Sequence, residues 1–538
     1  MTEQTPEAGA DTADATAHSG LPAGRAGSPA ERFGGDLAER SGVDLAEIPG
    51  GDLAARLARR LARHCAEGQT SWFWLDSPDG DGSSYLGFGG EVLTTDASDP
   101  RRFLERLQQK INRQKPTHSN STQQDAAQPD AREPVGGGSW QSGWLVCLSY
   151  EFGTVLQREN LGLPKTPRPQ RHPSFALRPA ALVELAGDGT VVVSGDDPRA
   201  RELLTALLAE ARQSAAAEPA TAAETTETAV APDPLAAPEW SQSDGEYLEN
   251  IRSAQRAIAN GDAYVLCLTN QARVRGEFDP LGCFLALRRI RAAHRGAVIV
   301  TPELALVSAS PESFISVRAT PVGRVIATKP MKGTAPRDPH PETDRRHARE
   351  LAQNPKERTE NTMIVDLLRN DIATVSVPGS VTVADFLRVE THPHVHAMVS
   401  TVRGVLRQQV GLAELIAAVF PGGSMTGAPK LSAVEILASL EGVPRGIYSG
   451  CFGWIDDRGS LELAMTIRSV VLTGDISERS GSAGRAARET PGGEGGARPF
   501  TLAELGAGGG ITSDSVPERE LAEMHLKAAP LLRALNAA

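Results

Sequence analysis

The sequence has few cysteines, no long apolar run and fewer basic than acidic residues, and each shortage excludes a class of protein. The five cysteines are scattered and odd in number, which argues against a disulfide framework or a zinc site and favours a reducing compartment. The absence of any run of about 18 apolar residues argues against a membrane span. Residues 1–30 lack the basic start and apolar middle of a signal peptide. Acidic residues outnumber basic ones, 67 against 55, and a net charge of −12 disfavours a nucleic-acid partner. We therefore expect a cytoplasmic protein.

The chain of 538 residues is too long for one hydrophobic core, because single cores stop growing near ~250–300 residues. Several segments are so rich in Ala, Glu, Thr, Pro, Ser, Gln or Gly that they bury too little apolar area to offset the entropy of ordering. The predicted organisation is a disordered tail over 1–45, an N-terminal region over 46–212 with a polar insertion at 108–138, a flexible linker at 213–238, and a C-terminal domain over 239–538 with a flexible loop at 474–498.

Hydrophobic periodicity predicts a mixture of helices and strands. Leucines spaced by four residues indicate an amphipathic helix over Asp52–Cys65. Several strands are joined by short turns, so an α/β fold of the α+β kind with largely antiparallel strands is favoured over repeating βαβ units. Further helices are predicted at 246–260, 355–369, 428–441 and 517–528, and strands at 71–75, 144–150, 190–194, 264–269, 298–300 and 304–309.

The predicted helix over 355–369 places acids on its apolar stripe. Asn354 is a good N-cap, and extending the stripe backward by three or four residues reaches Glu360 and then Glu357. A carboxylate on a buried face is costly unless a cation or a donor meets it. The alternative assigns Glu357 to a capping box and Glu360 to solvent.

A second helix, which begins at Pro517, repeats this arrangement with Glu520, Glu523 and Lys527. Such spacing usually means an exposed charged face with a Glu523–Lys527 pair. Two helices that each carry two acids three residues apart could instead hold one hard cation together. Mg²⁺ typically takes one or two carboxylates and fills its other positions with water and substrate oxygens.

Two glycine-rich segments, 421–430 and 506–511, are interpreted as turns, and neither is a nucleotide-binding fingerprint. Each is either a simple tight turn or a set of backbone N–H groups that meets an anion. Lys332 lies between Pro330 and Gly333, where the backbone is constrained. A lysine becomes a nucleophile only if its surroundings lower its pKa, and most loop lysines are merely solvated.

Taken together, these segments resemble the chorismate-utilising enzymes, a family that includes anthranilate synthase component I, aminodeoxychorismate synthase component I, and the isochorismate and salicylate synthases. Six blocks occur in the family's order over roughly 239–538. They are Ser310-Pro-Glu-Ser-Phe314, Pro330-Met-Lys-Gly-Thr334, Glu360-Asn-Thr-Met-Ile-Val-Asp-Leu-Leu-Arg-Asn-Asp371, Pro421-Gly-Gly-Ser-Met-Thr-Gly-Ala-Pro-Lys430, Ala464-Met-Thr-Ile-Arg468, and Gly506-Ala-Gly-Gly-Gly510 with Asp514-Ser-Val-Pro517.

The resemblance implies two packed, mainly antiparallel sheets wrapped by helices, with a chorismate-binding catalytic domain over 239–538. It also implies Mg²⁺ bound through Glu360 and Glu523, with Glu357 and Glu520 nearby. Chorismate is a dianion that a protein of net charge −12 would repel, so local cations must reverse the sign of the field. The substrate-binding positions that the resemblance implies are Gly333, Thr334, Thr426, Tyr448, Arg468, Gly508, Gly510 and Lys527.

One position separates the subfamilies. In the block Pro330–Thr334, the third residue of anthranilate synthases resembles alanine, whereas aminodeoxychorismate synthases carry lysine, as at Lys332 here. The resemblance implies that Lys332 adds to C2 of the ring while Glu312 protonates the departing C4 hydroxyl. Ammonia then attacks C4 and expels the lysine, a transaminase-class amination that yields 4-amino-4-deoxychorismate. Val265 stands where the water-using relatives place a lysine base, which disfavours their chemistry.

Two further expectations follow from the resemblance. The ring-adjacent histidine of anthranilate synthases aligns with Ala397, and His396 is interpreted as a structural histidine because adjacent strand positions face opposite sides. No cysteine lies in a Gly-x-Cys-x-Gly setting, so a separate glutaminase subunit is expected to deliver ammonia, and a lyase would then form 4-aminobenzoate, the folate precursor. The alternatives are an anthranilate synthase component I and a non-catalytic chorismate-binding subunit.

Overall fold

The computed structural model describes residues 53–77, 83–95, 98–113, 140–164, 171–217, 236–290, 295–392, 395–474 and 500–536. The predicted tail over 1–45 and most of the predicted insertion, linker and loop lie outside these residues. Within the described ranges, no helix combines the length and the apolar character that a membrane crossing requires.

Helices and strands alternate along the described part of the chain. The helices are α1 Leu53–Gly68, α2 Pro100–Arg113, α3 Tyr150–Asn160, α4 Pro198–Ala217, α5 Asp244–Ala259, α6 Pro280–Ile290, α7 Pro341–Gln353, α8 Pro355–Ala373, α9 Leu412–Val419, α10 Lys430–Glu441 and α11 Pro517–Asn536. The strands are β1 Trp72–Asp76, β2 Ser84–Phe88, β3 Glu91–Thr95, β4 Gly143–Leu148, β5 Ser174–Arg178, β6 Ala181–Leu185, β7 Val191–Ser194, β8 Glu239–Trp240, β9 Val265–Phe278, β10 Arg295–Val300, β11 Leu304–Ser310, β12 Ser313–Thr320, β13 Gly323–Thr328, β14 Met331–Pro336, β15 Thr382–Thr391, β16 Val395–Val405, β17 Gly427–Ala428, β18 Cys451–Asp456, β19 Leu461–Met465, β20 Ser469–Thr473 and β21 Phe500–Ile511.

The strands form two large sheets in which every described pairing is antiparallel, which confirms the predicted fold class. The first sheet has the order β17-β9-β21-β20-β11-β10-β1-β2-β6-β7, with β8 paired to β9. The second has the order β14-β16-β13-β12-β19-β18-β4-β5-β3, with β15 paired to β16. Both sheets mix strands from the predicted N-terminal region and from the predicted C-terminal domain.

The hydrophobic core has three layers. Strand β1 shows why, since Phe73 belongs to a cluster with inward residues of both sheets, whereas Trp72 and Trp74 belong to a cluster with helices. Successive side chains of a strand point to opposite faces. The central cluster therefore fills the space between the sheets, and the other two join each sheet to the helices that cover it.

Three local predictions are corrected by the structure. The strand predicted over 144–150 ends at Leu148, because Ser149 accepts a hydrogen bond from the Phe152 N–H and caps helix α3. Helices α2 and α4 continue to Arg113 and Ala217, so the first residues of the predicted insertion and linker are helical.

The second glycine-rich segment is not a turn. Residues 506–511 are the last part of the long strand β21. The Tyr448 ring packs on Gly506 so closely that a Cβ at that position would lie 2.3 Å from it. Glycine is therefore required there by close packing and not by a turn.

Candidate active site

A small cleft that opens to solvent lies where the β9–β21 side of the first sheet meets strand β14 of the second. Its walls come from segments that are far apart in the sequence. The lining residues are Val265, Cys267, Lys332, Glu360, Met363, Ile364, Gly423, Ser424 and Gly510. Four of the six sequence blocks therefore contribute to one cavity.

Lys332 lies on β14, a strand whose register against β16 is broken between Met331 and Thr334. The irregularity coincides with Gly333, which has φ +78°, a conformation that glycine adopts without cost. A Cβ on Gly333 would lie 2.8 Å from Glu357 Oε2. The bulge thus brings β14 against helix α8 and directs Lys332 into the cleft.

Glu312 lies in the turn between β11 and β12 and is buried. Burial raises the pKa of its carboxyl group, and the nearby Lys332 and a hydrogen bond from Ser424 only partly offset that rise. A carboxylic acid that stays protonated beside an amine can supply a proton to a leaving group. The structure therefore brings the two predicted catalytic side chains together.

Four glutamates from two helices gather beside Lys332. Glu357 and Glu360 come from α8, and Glu520 and Glu523 come from α11; Glu523 repels Glu357, and Glu520 repels Glu360. Burial raises the pKa of Glu357 and of Glu360, and repulsion from neighbouring glutamates adds to it. Lys332 acts on Glu360 in the opposite direction and lowers its pKa. The carboxylates are thus at the mouth of the same cleft as the amine.

Glu360 and Glu520 do not point to solvent, as the alternative readings of these two helices required. Asn354 caps α8 by accepting from the N–H groups of Lys356 and Glu357, and Glu360 keeps only 16% of its side-chain surface exposed. On α11, Glu520 is buried and accepts from the Ser515 hydroxyl at 2.8 Å. The apolar stripe therefore carries these acids toward the protein interior.

Lys527 is fixed between α11 and β21. Its Nζ pairs with Glu523 Oε1 at 2.6 Å and donates to the Gly508 carbonyl at 2.7 Å. Burial opposes ionisation of Glu523, but this pair together with Lys356 and Lys332 lowers the carboxyl pKa. The helix pair expected from the spacing therefore forms and anchors the glycine-rich strand, whose Gly510 lines the cleft.

The other predicted substrate-binding residues have different surroundings. The Thr426 hydroxyl is buried and donates to the Gly422 carbonyl at 3.1 Å. Thr334 is exposed, on the part of β14 that pairs with Ala397. Arg468 is half-buried with φ +52°, and its charge acts on the buried Tyr448.

The comparisons with known proteins agree with this geometry. Residues 70–533 match the family described as chorismate binding enzyme. The chain belongs to the chorismate binding enzymes. It is 35% identical over 399 residues to an aminodeoxychorismate synthase of Streptomyces griseus, and 32% identical over 403 residues to an anthranilate synthase component 1 of Halobacterium salinarum. These alignments cover 74% and 73% of this chain, and 50% and 70% of the relatives.

The fold of this chorismate binding enzyme is shared by solved structures. Anthranilate synthase component I from Streptococcus pneumoniae has a TM-score of 0.59 at 21% identity, covering 86% of this chain and 89% of that chain. The menaquinone-specific isochorismate synthase of Escherichia coli has 0.59 at 16% identity, covering 90% and 91%. The chain spans half or less of the aminodeoxychorismate synthases from Streptomyces griseus and Arabidopsis thaliana, with shares of 50% and 28%.

The donor set of this chorismate binding enzyme fits Mg²⁺. Carboxylate oxygens are the ligands of a hard cation, and one or two suffice when water and substrate supply the rest. The ammonium group of Lys356 already lies between two of these carboxylates, with its Nζ 3.7 Å from Glu360 Oε1 and 3.6 Å from Glu520 Oε1. In the described part of the chain, no group of three or more His, Cys, Asp or Glu side chains forms a preformed metal site.

His396 and Ala397 lie as their alternation on β16 predicts. His396 is buried away from the cleft lining, where its Nε2 is 2.8 Å from Asp344 Oδ1 and its Nδ1 is 2.9 Å from the Thr391 hydroxyl. These two contacts occupy both ring nitrogens, so His396 is a structural histidine. Val265, by contrast, lines the cleft and offers only an apolar surface.

Sequence reasoning missed three contributors to this site. Ser424 lines the cleft and hydrogen-bonds Glu312, and its place in the glycine-rich block was the available signal. Cys267 also lines the cleft, on the strand predicted at 264–269. Arg445 links two segments of the cleft by donating hydrogen bonds to the carbonyls of Met425 at 2.6 Å and of Cys267 at 2.8 Å. No local pattern marks Arg445.

Proposed function

We propose that this chorismate binding enzyme aminates chorismate to 4-amino-4-deoxychorismate, through a transient covalent bond to Lys332. The observation that carries the proposal is the position of Lys332, whose side chain lines the cleft beside Glu360 and close to the buried acid Glu312. An amine that shares a cavity with a proton donor has the arrangement needed for nucleophilic substitution of a hydroxyl group.

The relatives favour this reading over their other activities. Proteins named aminodeoxychorismate synthase are 35–40% identical to this chain over 228 to 399 residues. Anthranilate synthases are 32–35% identical over comparable lengths, so anthranilate formation is the second candidate. Lys332 separates the two, because the alanine of anthranilate synthases cannot form the adduct.

The proposed reaction balances in two displacements. The neutral amine of Lys332 bonds to C2, the ring double bond shifts, and the C4–O bond breaks with transfer of the Glu312 proton, so that water leaves. Ammonia then bonds to C4, the double bond shifts back, and the C2–N bond breaks to release Lys332 as its neutral amine. The new ammonium group on C4 returns one proton to Glu312. The raised pKa of Glu312, caused by its burial, supports its role as the acid.

The dianionic substrate requires a cationic pocket in a protein of net charge −12. Glu360 and Glu523 would hold Mg²⁺, with Glu357 and Glu520 beside them, and the ion would neutralise one carboxylate of the substrate. Arg468 and Lys527 would bind the other carboxylate. The remaining proposed substrate contacts are the backbone donors of Gly333, Thr334, Gly508 and Gly510, with Thr426 and Tyr448.

Ammonia would come from a glutaminase partner, and the product would feed 4-aminobenzoate and folate formation. Free ammonia would replace the partner in vitro. All five cysteines are free and buried, which suits the reducing conditions of the cytoplasm.

The deciding experiment incubates the purified chain with chorismate, Mg²⁺ and ammonium, and identifies the product by mass. Formation of 4-amino-4-deoxychorismate supports the proposal. Anthranilate would establish the second candidate. Unchanged chorismate that is nevertheless bound would indicate a non-catalytic binding subunit.

A further inference from the structure

Lys527 and Lys356 both lie among the glutamates of the cluster, and they are held very differently. Lys527 makes two contacts shorter than 3 Å. Lys356 makes none, because its Nζ is 3.7 Å from Glu360 Oε1 and 3.6 Å from Glu520 Oε1, beyond the length of a good hydrogen bond. Lys356 is therefore drawn to the carboxylates by charge without being fixed to either.

The first turn of a helix is an unfavourable position for the Lys356 cation, and the four glutamates offset this disadvantage. Lys356 lies in the first turn of α8, directly after Pro355, where the helix dipole opposes positive charge. All four glutamates of the cluster act electrostatically on Lys356, led by Glu520 and Glu360. The lysine thus bridges α8 and α11 as their counter-ion.

The side chain of Lys356 is also free to leave. About half of its surface (53%) is exposed, and a flexible lysine stem can turn into water at little packing cost. A divalent ion bound to Glu360 would lie close to the Lys356 ammonium group, which is 3.7 Å from Glu360 Oε1, and would repel it. Exchange of Lys356 for the ion removes that repulsion.

We propose that Lys356 is a built-in competitor of the divalent cation, which occupies the position between Glu360 and Glu520 and swings out when Mg²⁺ binds. The inference rests on the magnesium site of the proposed function. Lys356 then sets how much free Mg²⁺ the site requires, and it keeps the two acidic helices together before the ion arrives.

The test measures Mg²⁺ binding by the full chain without chorismate, at constant ionic strength, by calorimetric titration and by thermal melting over a range of MgCl₂ concentrations. Lys356→Gln is expected to bind Mg²⁺ about fivefold more tightly, the value of one charge pair about 4 Å apart in water. Without Mg²⁺ the variant should melt at a lower temperature than the wild type, and Mg²⁺ should raise its melting temperature by more.

Two variants serve as controls. Lys356→Arg keeps the charge and should bind Mg²⁺ like the wild type. Lys110→Gln removes a lysine that pairs with Glu91, away from the cluster, and should change neither readout. Equal or weaker binding by Lys356→Gln would overturn the proposal, as would the absence of any response to Mg²⁺ in both proteins. Failure of the amination assay alone would refute the proposed function and leave this result standing, because no chorismate is used here.

Discussion

At the scale of single residues, the proposed reaction depends on Lys332 of β14 and on Glu312 in the turn between β11 and β12, two residues that interact electrostatically. Neither residue is unusual in its local sequence. Burial raises the pKa of the Glu312 carboxyl group, which favours the protonated form that a general acid requires.

Lys332→Ala should lower the rate of 4-amino-4-deoxychorismate formation by roughly a thousandfold or more, because no other side chain replaces the nucleophile. The product measured by mass should be absent or replaced by anthranilate. Lys329→Ala is a matched control, since Lys329 pairs with Glu390 at 2.7 Å and is not among the residues that line the cleft. Normal turnover by Lys332→Ala would refute the covalent step.

Glu312→Gln should reduce kcat by about 10²–10⁴-fold, because the amide keeps the shape of the side chain but has no proton to donate. In the wild type, burial raises the pKa of Glu312, so the protonated acid persists to higher pH than an ordinary carboxylic acid. The rate should therefore fall as pH rises through this raised pKa. A kcat–pH profile checks this, and a variant that kept the same basic limb would contradict the assignment.

At the scale of elements, the contact between β14 and α8 aligns the amine with the acidic cluster. The contact depends on the bulge at Gly333, where a side chain would collide with Glu357. The close contact between β14 and α8 thus fixes the position of Lys332 relative to Glu357, where the chemistry is proposed.

Gly333→Ala should cost about 1–2 kcal/mol of stability through its positive φ, and should also displace Glu357 and depress activity. Gly379→Ala is the matched control, because Gly379 has φ +81° but no atom within 4 Å of an added Cβ. Gly333→Ala should lose more stability in urea unfolding than Gly379→Ala, because only its Cβ collides with Glu357, and only Gly333→Ala should lose amination activity. Equal activity in the two would show that the contact is unimportant.

At the scale of the whole molecule, the regions predicted as 46–212 and 239–538 each contribute a block of adjacent strands to both sheets. Strand β1 pairs with β10 in the first sheet, and β4 pairs with β18 in the second. The central core cluster likewise takes residues from both regions.

We therefore expect the regions to unfold together. Urea unfolding followed by tryptophan fluorescence and by far-UV circular dichroism should give coincident transitions. A fragment over 239–538 alone should fail to fold, because it leaves β10 and β18 without their partners β1 and β4 and removes part of the central core cluster. Two separate transitions, or a folded fragment, would contradict this expectation.

The buried Glu151 links stability to pH. It accepts from the N–H groups of Arg445 at 2.8 Å and of Gly446 at 2.9 Å, yet burial raises its pKa from 4.5 to about 7. The folded state thus binds this proton more tightly than the unfolded state. Its contribution to stability is full below about pH 4.5 and is lost as pH rises through about 7.

Glu151→Gln should remove that part of the pH dependence, which amounts to about 3 kcal/mol at most. Urea unfolding from about pH 5 to about pH 8 measures it. The exposed Glu105→Gln on α2 should leave the profile of the wild type unchanged. Parallel profiles for Glu151→Gln and the wild type would show that another group carries the dependence.

The sequence by itself determined the family, since six blocks in order indicated the chorismate-utilising enzymes, and it predicted the antiparallel α+β fold. It also named the acids of α8 and α11, because a carboxylate on an apolar stripe requires a partner. Periodicity located five of the eleven helices in the described part of the chain, α1, α5, α8, α10 and α11. It missed the others, among them α3, whose start depends on one capping hydroxyl, and it mistook the end of β21 for a turn.

Only the tertiary structure decided which side chains meet. The orientation of His396 toward Asp344, the support of Glu312 by Ser424 and the place of Lys356 between two helices all depend on long-range packing. The local sequence specifies the secondary-structure propensity of a segment and which of its faces is apolar. The distance between segments that are remote in the chain is set by how the sheets and helices pack together.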